Sequence, residues 1–65
     1  MTRFQKENMK IRVLRLISRG STGSPEELAM MLDVSTRTAK RLIQELRKEG
    51  YFIRYSRMSR SYIPA

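Results

Sequence analysis

The residues from Ser24 to Gly50, SPEELAMMLDVSTRTAKRLIQELRKEG, hold two short helical patterns with only three residues between them. Ser24, Pro25 and Glu27 start the first: Ser24 supplies a side-chain cap, Pro25 suits the first helical position, and Glu27 completes an S-x-x-E capping box. Leu28, Ala29 and Leu32 then share one face, and Asp33-Val34-Ser35 interrupts the pattern. Ser35 caps the second helix, where Ala39, Ile43 and Leu46 recur at i, i+4 and i+7 until Gly50 stops it. The spacing predicts helices over 25–32 and 36–49. Helices this short and this close must bury their apolar faces in one shared core, which makes a helix-turn-helix.

Such a motif needs further elements to close its core, and the chain has room for few. Its 65 residues form one expected domain, near the lower size at which a core is stable unaided. Residues 1–6 are polar and basic without a clear period and are expected to fray. From about 7 to 19, Met9, Val13, Leu16 and Ile17 lie within one arc of a helical wheel, with Leu14 at its margin, predicting the first of three helices. Ile11 falls on the far side of that wheel, as an exposed apolar residue. Gly20-Ser21-Thr22-Gly23 breaks the helix, and Thr22 is a candidate for a short bridge to a later sheet. Met31 lies near the edge of the core face of the second helix, whereas Met30 points away from it. Asp33 takes a turn position that often needs a left-handed backbone, which Asp tolerates better than most side chains. Val34 is expected to plug the gap between the two motif helices.

Charge narrows the function. Fourteen Lys and Arg against six Asp and Glu give a net charge of +8. Residues 1–33 carry +2 and residues 34–65 carry +6, so the positive field concentrates on the last helix and the C-terminal segment beyond it. Its natural partner is a polyanion, nucleic acid before an anionic membrane surface. The chain has no Cys and no His, so no zinc knuckle, disulfide framework or histidine base is available. There is no Gly-rich phosphate loop, and the carboxylates are few. No catalytic, metal or cofactor site can be assembled from these residues. The apolar runs are too short for a signal peptide or a membrane span, and the expected location is the cytoplasm.

On the helix over 36–49, turning Ala39, Ile43 and Leu46 inward places Arg37, Arg41, Gln44 and Lys48 around the opposite pole, with Lys40 beside them. Glu45 and Glu49 fall off that pole. Arg pairs bidentately with guanine, Gln with adenine, and Lys with guanine or phosphate, so Arg37, Lys40, Arg41 and Gln44 form a candidate base-reading set. The helix ends are also unequal. The first motif helix has Glu26 and Glu27 in its opening turn, whereas the second opens on Ser35, Thr36 and Arg37 with no acid. A phosphate held by free backbone N–H groups there would offset the charge of Arg37 against the positive end of the helix dipole. Lys48 is a further candidate for phosphate.

The last stretch, YFIRYSRMSRSYIPA, is rich in aromatic and β-branched residues around a central Arg-Met-Ser-Arg. It predicts a hairpin with strands over about 51–57 and 60–64. Ile53, Tyr55 and Tyr62 cover the helical core, and Arg54, Arg57 and Arg60 project from the flank and tip. The turn lacks Asn-Gly, which leaves its type open.

Leu28, Ala29, Leu32, Val34, Ser35, Arg37, Thr38, Arg41, Leu46 and Gly50 match, interval by interval, a known pattern. Over roughly residues 9–63 the chain resembles the winged helix-turn-helix modules of the biotin-repressor and deoxyribose-repressor type. The resemblance implies a mainly α three-helix core with a small β-hairpin as its wing, the last helix in the DNA major groove, and the wing on phosphate or minor groove. It places DNA contacts at Ser35, Thr36, Arg37, Lys40, Arg41 and Gln44. Asp33 stands where the family usually has Gly, Ala39 where a larger aliphatic is common, and Leu42 where a polar residue is usual. Leu42 is expected to fill the room that Ala39 leaves; the alternative is an exposed apolar group at an oligomer contact.

The chain is therefore expected to bind double-stranded DNA in a sequence-directed way, as a small transcriptional regulator. No ligand-binding body accompanies the 65 residues, so control would come from abundance, a homodimer or a partner protein. Two other functions fit less of the sequence: a winged helix used for protein interaction, and an RNA-binding module stacking bases on Tyr51, Phe52, Tyr55 or Tyr62.

Overall fold

The computed structural model describes residues 3–65. Three helices, α1 (Arg3–Arg19), α2 (Pro25–Leu32) and α3 (Thr36–Lys48), precede a hairpin of β1 (Ile53–Ser56) and β2 (Ser61–Pro64). The architecture is mainly helical with an antiparallel two-stranded hairpin, the order a winged helix-turn-helix requires.

Local capping sets the helix bounds. The Ser24 Oγ accepts from the Glu27 backbone N–H at 3.2 Å, as the S-x-x-E pattern demands. Glu27 does not reach back to the backbone of Ser24; its carboxylate accepts from the Ser24 hydroxyl instead, at 3.4 Å. All three helices end through the same pair of hydrogen bonds, the Schellman pattern. At the end of α2 the Asp33 N–H donates to the Met30 carbonyl at 3.2 Å and the Val34 N–H to that of Ala29 at 3.0 Å. Asp33 itself is left-handed, at φ 58° and ψ 46°. Gly20 and Gly50 occupy the equivalent positive-φ positions after α1 and α3.

Val13, Ile17, Leu28, Ala29, Leu32, Ala39, Leu42, Ile43 and Leu46 form the helical core, and Ile53 and Tyr62 close it from the hairpin. Leu42, 2 % exposed, packs beside the fully buried Ala39, so the small residue does make room for it. Val34 is half-buried against the core and Ile11 is exposed. Met30 points outward, and Met31 is also largely outside the core.

Three features depart from the sequence expectations. First, α1 begins at Arg3 and not near residue 7; residues 3–6, expected to fray, are helical. Lys6 projects from this segment to Glu45 of α3, and Lys10, one turn on, to Glu49 at the end of α3. The expectation for Met1 and Thr2 lies outside the described residues. Second, the strands are shorter than 51–57 and 60–64. The Tyr51 N–H is consumed in closing α3, donating to the Leu46 carbonyl at 3.1 Å, and Arg57 and Arg60 belong to the turn. That turn has four residues, with Arg60 at φ 50° and the Ser59 N–H donating to the Ser56 Oγ at 3.2 Å. Third, Thr22 does meet the hairpin, but through hydrogen bonds and not as a strand. Its N–H donates to the Ser61 Oγ at 2.9 Å, its hydroxyl lies 2.9 Å from the same atom, and the Tyr62 N–H donates to the Thr22 Oγ1 at 2.8 Å. Thr22 and Ser61 are both buried, which explains how two consecutive residues of β2, Ser61 and Tyr62, can both face inward: one meets the loop and the other the core. Tyr62 meets Tyr55 edge-on, with ring centroids 5.1 Å apart.

Candidate nucleic-acid interface

The start of α3 is built around Ser35. Its extended backbone (φ −71°, ψ 157°) and Oγ cap the helix, the Oγ accepting from the Thr38 N–H at 3.1 Å and donating to the Thr38 Oγ1 at 3.0 Å. The first helical bond runs from the Ala39 N–H to the Ser35 carbonyl at 3.0 Å. The N–H groups of Thr36 and Arg37 precede it and have no intrahelical acceptor. The first turn of α3 contains no acid, whereas α2 opens on Glu26 and Glu27. Of the side chains at this end, Ser35 is already occupied as the cap, and Thr36 is half-buried.

The sides of α3 divide cleanly at about 100° per residue. Ala39, Leu42, Ile43 and Leu46 face the core, and Arg37, Lys40, Arg41, Gln44 and Lys48 are exposed on the opposite side. On the flank toward α1, Glu45 accepts from the Lys6 Nζ at 2.7 Å and Glu49 from the Lys10 Nζ at 2.5 Å. Lys10 also lies 3.7 Å from the second oxygen of Glu45, which is buried and has no hydrogen-bond donor among the described residues. The hydrogen bond from Lys6 holds the Glu45 carboxyl below its ordinary 4.5, against the opposing effect of burial. The hydrogen bond to Glu49 raises the Lys10 ammonium above 10.5.

Glu45 of α3 and its C-cap Glu49 are thus both paired with lysines of α1, and among the described residues no ion pair involves Arg37, Lys40, Arg41 or Lys48. Arg41 sits at the border of the two regions, lining a cleft of about 290 Å³ with Lys6, Thr38, Leu42 and Glu45.

The other flank holds a residue that the sequence did not single out. The Arg47 Nε donates to the Ile53 carbonyl at 3.1 Å and so fixes the first residue of β1 to the last turn of α3. A cation in the last turn of a helix is ordinarily explained by the helix dipole, and nothing local pointed to a carbonyl six residues on. On the hairpin, Arg54, Arg57 and Arg60 are all exposed. They form a second basic group, on the hairpin whose first strand Arg47 ties to α3. Among the described residues no group of carboxylates is placed to hold a metal ion, and no helix is long and apolar enough to cross a membrane.

Three helices, a capped turn between the last two and a hairpin behind them define a helix-turn-helix domain with a basic outer helix face. The HTH domain family matches residues 10–62, and the chain belongs to this family of helix-turn-helix DNA-binding domains. No curated protein and no solved structure matches it.

Proposed function

We propose that residues 1–65 act as one winged helix-turn-helix domain of the biotin-repressor and deoxyribose-repressor type, a small transcriptional regulator that binds double-stranded DNA in a sequence-directed way. In this proposal α3 lies in the major groove. Arg37, Lys40, Arg41 and Gln44 read base edges, and Lys48 with the open turn at Ser35 and Thr36 takes phosphate. The hairpin sets Arg54, Arg57 and Arg60 on phosphate or in the minor groove.

The observation that carries the proposal is the pairing of Glu45 and Glu49 with Lys6 and Lys10. A solubilising face mixes charges of both signs, whereas here the two acids are drawn aside and the outer face keeps cations and one amide. At Ser35 the contact would come from the backbone end of the helix, since the hydroxyl already caps Thr38.

Selection of bound sequences from a random duplex pool tests this. A shared motif is expected, and its symmetry reports the number of domains bound. Arg37→Ala or Gln44→Ala should change the recovered motif, each good bidentate contact discriminating by roughly 1–3 kcal/mol. Lys48→Ala or Arg57→Ala should weaken all sequences alike. A motif unmoved by both of the first pair refutes the role of α3.

A second function has one observation in its favour. Tyr51 and Phe52, 46 % and 80 % exposed, present adjacent aromatic rings that could stack unpaired bases. A single-stranded RNA that outcompetes duplex DNA would establish it.

A further inference from the structure

We propose that the outer side of α1 is a self-association seam, on which a second copy of this chain packs its own α1 antiparallel. Phe4 and Ile11 are 75 % and 50 % exposed. Seven residues apart on a helix, they fall within about 20° of one another and form a single apolar strip. The opposite side of α1 carries Val13 and Ile17 into the core, so the strip is not a misplaced part of it. Lys6 and Lys10, which bind α3, project on a different side as well. A partner on the strip therefore leaves α3 uncovered.

The pattern of the strip fits a copy of itself. With a two-fold axis at Ile11, antiparallel packing brings residues whose numbers add to a constant level with one another. Phe4 then meets the small Ser18 of the partner, large against small, at each end. Glu7 comes level with Arg15 of the partner, and Arg15 with Glu7, giving two oppositely charged pairs. Within the monomer neither Glu7 nor Arg15 has an ion-pair partner among the described residues. Parallel packing would set Glu7 against Glu7 and Arg15 against Arg15, so the charges select the antiparallel arrangement. The seam is isologous, as closed two-fold dimers require. Taken with the proposed DNA binding, such a dimer presents two copies of α3 and doubles a short recognition site. The seam is testable without DNA, so the two proposals fail separately.

Sedimentation equilibrium of the full chain, from about 10 µM to about 1 mM and at about 150 mM salt, where the +8 charge of each copy is screened beyond roughly 8 Å, is the decisive experiment. A concentration-dependent shift from monomer to dimer is expected, and Ile11→Asp should abolish it. Glu7→Arg and Arg15→Glu should each weaken the dimer by about tenfold, because two attractive pairs become repulsive. Mixing those two variants should restore association, since every reversed charge then faces an opposite one. That rescue cannot arise from variants that fail to fold. A chain that stays monomeric throughout, a dimer that survives Ile11→Asp, or a mixture no tighter than its components would overturn the proposal.

Discussion

Replacing Thr22 by Val keeps the shape of a fully buried side chain and removes one hydroxyl. That hydroxyl accepts from the Tyr62 N–H at 2.8 Å and lies 2.9 Å from the Ser61 Oγ. Ser61 retains partners after the change, because its Oγ still accepts from the Thr22 N–H and donates to the Tyr62 carbonyl at 3.2 Å. The Tyr62 N–H keeps none, and with Thr22 and Tyr62 at 0 % and 7 % exposed, water has little access to it. An orphaned buried donor costs about 1–3 kcal/mol, so the expected loss is about 2 kcal/mol. Against a total of about 3–10 kcal/mol for a chain of this length, the loss is large. Urea unfolding followed by circular dichroism should show it directly. With a slope of about 1 kcal/mol/M, the midpoint falls by about 2 M, and the melting temperature falls by roughly 8–16 °C. Thr22→Ser, which keeps the hydroxyl, should retain most of the stability. A loss below about 0.5 kcal/mol for Thr22→Val, or a Ser variant that loses more, would refute the view that this hydroxyl holds the hairpin to the α1–α2 loop.

The same geometry sets further outcomes. Asp33→Gly should stabilise the domain by roughly 0.5–1 kcal/mol in denaturant titrations, because the left-handed turn at φ 58° then carries no Cβ. The Glu45 carboxyl is held below 4.5 by Lys6, so its contribution is complete above that pH and is lost as pH falls through the lowered value. Stability measured from pH 6 downward should decline accordingly, and Glu45→Gln should flatten the decline. The raised Lys10 has the opposite sense: its contribution is present below 10.5 and is lost as pH rises past its raised value. Arg47→Ala should loosen the hairpin, seen as faster hydrogen exchange at Ile53 to Ser56 with that of α2 unchanged.

What the sequence made legible was local. Ser24 and Ser35 announce their helices because a cap acts within three residues, and Gly20, Asp33 and Gly50 end them through paired bonds that span three and five. The burial of Leu42 followed from its place on the wheel beside Ala39. The outward face of Arg37, Lys40, Arg41, Gln44 and Lys48 follows from the same periodicity. The illegible parts depend on residues far apart in the chain. Helical order at residues 3–6 accompanies the pairing of Lys6 with Glu45, 39 positions away, and without that contact the segment is only polar and basic. Thr22 meets Ser61 across the same separation; its type and place in the loop suggest a bridge to the hairpin, but nothing near it in the chain marks Ser61 as its hydrogen-bond partner. Glu45 and Glu49 could be placed off the pole of α3, but the lysines that engage them could not be foreseen. The strands are shorter than their residue types imply, because Tyr51 favours extended structure whereas its N–H is needed to close α3.

Engagement of duplex DNA by the acid-free face of α3 and the arginines of the hairpin is tested by the salt dependence of duplex affinity. Four cations, Lys48 and the hairpin's Arg54, Arg57 and Arg60, count as phosphate contacts when the hairpin lies on the backbone. Each released counterion contributes about 0.9 to the slope of log K against log salt, so the slope should be near −4 and affinity should fall by about a hundredfold between about 50 and 200 mM. Removing Lys48 and Arg57 together should bring the slope close to −2. A flat salt dependence, or a slope indifferent to that pair, would contradict the claim.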